Sequence, residues 1–208
     1  MQLTREQIDR IEALLARGGR RLLGLVGAPG AGKSTLAAAL AQHLGERAMV
    51  VPMDGYHLAN VELARLGRAG RKGAPDTFDA AGYVALLQRL RAQGPGEIVY
   101  APEFRREIEE PIAGAIPVLP HTPLIITEGN YLLLDEPPWS AVAGLLDECW
   151  YVEVDDALRR QRLVARHMRF GRSEAQAREW AELTDEPNAR RIAATMHRAT
   201  CVVREHGA

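Results

Sequence analysis

Apolar residues recur at helical spacing near the start of the chain. Ile8, Ile11, Leu14 and Leu15 fall on one face between charged positions, Thr4 and Gln7 form a capping-box pair, and Gly18-Gly19 close the stretch. This pattern predicts an amphipathic packing helix over 4–17. Further on, short continuous apolar runs alternate with longer segments of period about 3.6. The runs predict strands at 21–26, 48–53, 98–101, 123–127, 149–154 and 199–204. The periodic segments predict helices at 33–44, 78–92, 140–146, 156–169, 174–183 and 188–196. Pro/Gly clusters at 94–96, 111–123 and 137–138 read as loops. Repeated βα order predicts a three-layer α/β/α domain with a mainly parallel sheet, occupying 1–208 as one unit. In such sheets ligands bind beyond the carboxyl ends of the strands, so the residues that end each strand carry the functional signal.

The first strand ends in Gly27-Ala28-Pro29-Gly30-Ala31-Gly32-Lys33-Ser34-Thr35, which fits G-x-x-x-x-G-K-[ST] between a strand and a helix. Glycines let successive backbone N–H groups curl around phosphate oxygens, and the helix N-terminus adds partial positive charge. Gly27, Ala28, Gly30, Ala31, Gly32, Lys33, Ser34 and Thr35 are therefore the candidate triphosphate site. Within it Lys33 supplies a mobile charge and Ser34 a hydroxyl ligand for Mg²⁺. The second strand delivers Asp54-Gly55-Tyr56-His57. In phosphoryl transfer to an alcohol a carboxylate orients the hydroxyl and accepts its proton, a role open to Asp54 as base or as a water-mediated Mg²⁺ ligand. The strand before 128 delivers Glu128-Gly129-Asn130-Tyr131; Glu128 is placed to hold Mg²⁺ or polarise the acceptor. Tyr56, His57, Asn130 and Tyr131 are candidate substrate contacts, as are the basic pairs Arg71-Lys72 and Arg105-Arg106. The arginine-rich stretch 159–172 predicts a small helical lid over about 162–188, with Arg162, Arg166 and Arg169 near one face. Glu186-Pro187-Asn188 reads as a loop beside the adenine, with Asn188 a nucleotide contact.

Composition narrows the classes. The chain has 208 residues, is 47% hydrophobic and carries a formal net charge of −1, which suits one buried core and no strong global attraction to nucleic acid or anionic membrane. No apolar stretch approaches the ~20 residues of a membrane span, and the first residues lack a secretory layout. The two cysteines, Cys149 and Cys201, lie far apart in strand-like runs, as buried free thiols of a reducing compartment do. A cytoplasmic protein is the expectation; monomer and homodimer stay open.

These motifs resemble the phosphoribulokinase, uridine kinase and pantothenate kinase group of phosphate-loop kinases. The carriers are 27–35, Met53-Asp54-Gly55-Tyr56-His57-Leu58, 71–79, Glu109-Glu110-Pro111-Ile112, 127–134 and Asp185-Glu186-Pro187-Asn188-Ala189. Within that group the chain looks most like the small bacterial kinases named for a fructose transport system. The resemblance implies ATP-dependent transfer of the γ-phosphoryl group to an alcohol of a small metabolite, a sugar such as fructose being favoured and a nucleoside or pantothenate-like acceptor open. It implies Asp54 as general base, Lys33 and Ser34 at the phosphates and Mg²⁺, Glu128 as the acidic strand-end residue, and Arg166 and Arg169 in the lid. One departure stands out: the group often carries Phe-Asp-Arg near 105, whereas this chain reads Phe104-Arg105-Arg106. Among other readings, a nucleoside monophosphate kinase would leave Asp54 without a purpose, a GTP switch would need an Asn-Lys-x-Asp run that is absent, and an ATP-binding regulator without turnover remains open.

Overall fold

The computed structural model describes residues 1–204. Five parallel strands form the central sheet in the order β2-β5-β1-β6-β7, with β1 Arg21–Val26, β2 Ala48–Val50, β5 Leu124–Gly129, β6 Glu148–Glu153 and β7 Cys201–Arg204. β1 and β5 are buried along almost their whole length because both sheet faces are covered. Alternation along β1 sorts its side chains. Leu22 and Val26 join the core that holds Tyr83, Leu87 and Leu90 of α4 (Ala80–Arg91). Leu23 and Leu25 face Ile11 and Leu14 of α1 (Arg5–Leu15) and Leu36 and Leu40 of α2 (Lys33–Leu44). The three-layer α/β/α expectation holds.

The capping box at Thr4 and Gln7 is present, and α1 is held down by charge as well as packing. Arg10 and Arg17 lie 2.6 and 3.3 Å from the buried Glu148, which also accepts from the Trp150 indole at 2.8 Å. At the base of the same strand pair, Asp147 accepts from the Leu22 N–H at 2.9 Å and from Arg21 and Arg91 at 2.9 and 3.1 Å.

Several segments differ from expectation. The strand expected at 48–53 stops at Val50; Val51 still donates to Ile126, and then Pro52 introduces a 3₁₀ turn, Met53–Tyr56. The strand expected at 98–101 is not a rung of the parallel sheet. It is β3 (Val99–Arg105), paired antiparallel with β4 (Glu110–Val118) in a separate two-stranded ribbon. β4 lies inside the stretch expected to be a loop. Its Pro111, Gly114 and Pro117 resemble loop residues, but a half-exposed edge strand tolerates them because its outer N–H groups need no partner. The helix expected at 140–146 is two 3₁₀ turns, Trp139–Ala141 and Ala143–Leu145. A short helix, α3 (Asn60–Arg65), forms where none was expected. The arginine-rich region folds as α5 (Asp156–Arg169), α6 (Glu174–Trp180), a π-helical turn at Ala181–Asp185 and α7 (Glu186–Ala193). Cys149 is buried, Cys201 is half-buried, and both are free thiols.

Candidate active site

The loop after β1 has the backbone its glycines allow. Gly30 and Gly32 sit at φ 82 and 92, and a Cβ on Gly30 would stand 2.9 Å from the Arg159 carbonyl oxygen. Lys33 is buried and folds back over the loop. Its ammonium donates to the carbonyls of Gly27 and Ala28 at 2.9 and 3.1 Å and to Asn130 Oδ1 at 2.8 Å. Burial among these neutral oxygens, against the pull of Glu128 and Asp54, lowers the lysine to about 8. One residue on, Ser34 Oγ donates to Glu128 Oε1 at 2.8 Å.

Because β2 pairs with β5, and β5 with β1, the ends of these strands bring Asp54 and Glu128 to the mouth of the loop. Gly55 lets the 3₁₀ turn sit tightly under the ribbon, since a Cβ there would approach the Pro102 carbonyl oxygen to 2.3 Å. The ribbon in turn brings Arg106 to Asp54, NH2 to Oδ2 at 2.9 Å. Burial pushes the Asp54 carboxyl up, but His57 and the cations Arg106, Lys33 and Arg166 outweigh it and hold the group below its ordinary value. Glu128 goes the other way: burial raises it, and the neighbouring Asp54 charge raises it further. Of the two carboxyls, Asp54 is the more readily ionised.

Two cavities meet at Asp54. One, of 660 Å³, is lined by Pro29, Gly30, Gly32 to Thr35, Asp54, Glu128 and Asn130, and by Arg162, Arg166 and Arg169 of α5. The other, of 310 Å³, shares Asp54, Arg106, Asn130 and Arg166 and extends to His57, Lys72, Phe104, His167, Arg172 and Trp180. His57 is wedged between Phe78 and Phe104, with ring centroids 4.0 and 4.5 Å away. Its Nδ1 faces the Asp54 carbonyl oxygen at 2.7 Å; a carbonyl only accepts, so Nδ1 carries the proton. Burial holds this imidazole below its ordinary value. At the end of α5, His167 Nε2 is 2.8 Å from Asp185 and its Nδ1 is 3.0 Å from the Arg172 guanidinium. Arginine only donates, so Nδ1 accepts, Nε2–H donates to Asp185, and His167 is neutral in this network.

Not every candidate residue reaches these cavities. Arg105 is exposed and pairs with Glu103 at 2.9 Å, so the position that departs from the kinase group points away and its neighbour Arg106 enters. Arg71 pairs with Asp76 at 2.5 Å and borders a separate 680 Å³ pocket. Asn188 lines that same pocket beside Trp139 and Arg191. The cleft flanking the phosphate loop, of 390 Å³, is lined instead by Ala28, Tyr151, Arg159, Glu186, Ala189 and Arg190. Tyr131 is fully buried, packs on Phe78 and Trp139, and donates its hydroxyl to the Gly73 carbonyl. Tyr56 packs on Tyr83 at 5.5 Å and lines neither cavity. Conversely, His167, Arg172, Trp180 and Asp185 enter the site without having been singled out for it. An arginine continuing past the end of α5 was the available signal for Arg172, and Asp185 opens the 185–189 motif; nothing local marked His167 and Trp180.

No family model matches the chain. It is 38% identical over 175 residues to a Schizosaccharomyces pombe protein provisionally named uridine kinase C227.14, the match covering 80% of this chain and 74% of that one. It is 33% identical over 189 residues to the uncharacterized protein YggC of Escherichia coli K12, covering 88% and 77% of the two chains. Among solved structures it matches the crystal structure of a protein provisionally named a fructose transport system kinase from Silicibacter sp. TM1040. There the TM-score is 0.82 at 40% identity, over 94% of this chain and 97% of the other.

Proposed function

The chain belongs to the group of P-loop small-molecule kinases that includes the uridine and pantothenate kinases, and from that premise we propose that it transfers the γ-phosphoryl group of ATP to an alcohol of a small metabolite. The observation that carries this reading is the position of Asp54, a carboxylate held ionised where the phosphate cleft and the smaller pocket meet. A transfer between phosphates needs no such base; an alcohol acceptor does. Arg106 engages Oδ2, which orients the carboxylate and leaves Oδ1 to meet the hydroxyl. In the proposed step the hydroxyl proton passes to Asp54 and the acceptor oxygen bonds to the γ-phosphorus. The bond from that phosphorus to the β–γ bridging oxygen breaks, and ADP leaves.

The loop fits a triphosphate: left-handed glycines, a buried lysine whose three donors contact only neutral oxygens, and three lid arginines across the cleft. The 390 Å³ cleft beside the loop, lined by Ala28, Tyr151, Arg159 and Arg190, is assigned to the nucleobase. Ser34 Oγ and Glu128 are hard oxygen donors of the kind that hold Mg²⁺ together with substrate phosphates. Mg²⁺ there would supply neutralisation of the phosphate charge. Lys33, Arg166 and Arg169 are assigned to the transferring phosphates and the lid; His57 and Asn130 shape the acceptor side.

ATP consumption with and without a panel of alcohols tests the reading. Strong stimulation by one acceptor, with the phosphoryl group recovered on its hydroxyl, is expected. Equal and negligible consumption across the panel would return the protein to ATP binding without turnover. A sugar, fructose included, is one acceptor class within this proposal.

A further inference from the structure

Arginines in this chain are usually paired. Arg10, Arg21, Arg71, Arg106 and Arg191 each lie within ion-pair distance of a carboxylate. The 310 Å³ pocket breaks that habit: it is lined by Lys72, Arg166 and Arg172, none of which makes an ion pair among the described residues. Arg166 also lines the phosphate cleft, so the donor phosphates account for its charge. Lys72 and Arg172 line the pocket and not the cleft, which places them at its other end.

Both are held in place by neutral groups. The Lys72 ammonium donates to Asn60 Oδ1 at 2.6 Å and to the Glu109 carbonyl, and lies over the Phe104 ring at 5.2 Å from its centroid. Its third N–H makes no hydrogen bond among the described residues. The Arg172 guanidinium stacks on Trp180 at 3.8 Å and donates to neutral His167, which Asp185 holds from behind. One side of its fork is fixed, and the rest makes no hydrogen bond among the described residues. Glu110 and Glu109 act on Lys72 through space, and Glu109 and Asp185 on Arg172, but among the described residues none makes an ion pair with either cation. Two part-buried, positioned cations with no carboxylate in ion-pair contact among the described residues keep a desolvation cost that an anionic ligand offsets. A planar guanidinium and a point-charge ammonium together suit a carboxylate or a phosphate.

We propose that the acceptor carries an anionic group, carboxylate or phosphate, at the end away from its reacting hydroxyl, and that Lys72 and Arg172 bind it. This rests on the kinase reading above and specifies the substrate class.

The test uses matched pairs with the full-length protein: small hydroxy acids against their primary amides, and sugar monophosphates against the free sugars. Turnover with MgATP and thermal upshift with a non-hydrolysable ATP analogue are both read. The anionic member of at least one pair should be preferred by about 10- to 100-fold, and the pair that responds separates carboxylate from phosphate. Arg172→Gln and Lys72→Gln should each raise KM for that anion by a similar factor, leave KM for MgATP and kcat nearly unchanged, and bring the two members of the pair together. Arg172→Lys should recover only part of the preference, since it restores charge without the fork. Neutral members used as well as charged ones, or variants that weaken both members equally, would overturn the inference while leaving the kinase reading intact. Anion binding that depends on Lys72 and Arg172 without turnover of any panel member would do the reverse. No anion preference in binding across either set of pairs also overturns it.

Discussion

The two halves of the site are built in opposite ways. The proposed phosphate half rests on one stretch of chain, β1, its glycine loop and the start of α2, with Asp54, Arg106, Glu128 and Asn130 at its mouth and one face of α5 across it. The acceptor half is gathered from five places: the turn after β2, the segment around Lys72, the end of the antiparallel ribbon, Asn130, and the lid from Arg166 to Asp185. The first is fixed by backbone geometry, so few residue types satisfy it. The second is fixed by which side chains long-range packing brings together, so it can vary without disturbing the fold. Asp54 belongs to both halves, and Arg106 from the ribbon sets its orientation.

The largest expected effect separates the halves at their junction. Asp54→Asn should lower kcat by about 10²–10⁴ while MgATP binding, followed by fluorescence titration, stays close to wild type. Turnover at the wild-type rate would remove Asp54 as the base. Lys33→Ala should lower kcat/KM for MgATP by about 10²–10³, since it removes a donor that engages charge developing on the phosphates, with acceptor affinity much less affected. An unchanged kcat/KM would show that the loop does not hold the donor.

Asp147 supplies a contrast at the base of the sheet, away from both cavities. Burial raises its carboxyl, but the Leu22 N–H and the Arg21 and Arg91 guanidinium groups bring it below its ordinary value. Its contribution to stability is thus complete above the unfolded carboxylate range near ~3.9 and is lost as pH falls through the depressed folded value. Asp147→Asn should cost roughly 1–3 kcal/mol in denaturant unfolding at neutral pH, flatten the acid limb and leave kinetics unaltered. A variant as stable as wild type at neutral pH would count against a structural role.

The smallest effect is a pH dependence confined to the donor half. With Lys33 lowered to about 8, raising pH through that value removes its charge from the free protein, whereas bound phosphates favour the charged form. The Kd for MgATP should therefore rise above pH 8, by at most about tenfold per unit. Lys33→Arg, which stays charged, should lack that rise. A wild-type profile flat from neutral pH to 9.5 would show the lysine unperturbed.

The same contrast explains what the sequence disclosed. The glycine loop and the strand-end carboxylates were legible because each is a local pattern whose neighbours place it: an apolar strand before, a helix or turn after. The five parallel strands were legible for the same reason, though the Pro52 turn shortened one. The ribbon was not, because Pro111, Gly114 and Pro117 carry loop chemistry into an edge strand. That error hid how the ribbon reaches the 310 Å³ pocket. Only the register of the ribbon decides that Arg106 meets Asp54 while adjacent Arg105 turns outward to Glu103. Asn188 shows another limit: it shares α7 with Ala189 and Arg190, but helical spacing sends it to the opposite side from the 390 Å³ cleft those two line. Arg172, His167 and Asp185 are joined by a network spanning α5 to the π turn, and no local spacing announces it.

The central claim is that donor and acceptor meet at Asp54. A crystal structure with a non-hydrolysable MgATP analogue and the preferred acceptor tests it most directly. The account predicts triphosphate oxygens on the 27–35 loop and Lys33, and an acceptor hydroxyl about 2.6–3.2 Å from an Asp54 oxygen. It also predicts the acceptor's anionic end at Lys72 and Arg172. An acceptor ordered in the 680 Å³ pocket beside Asn188, with Asp54 contacting only Arg106, would contradict it.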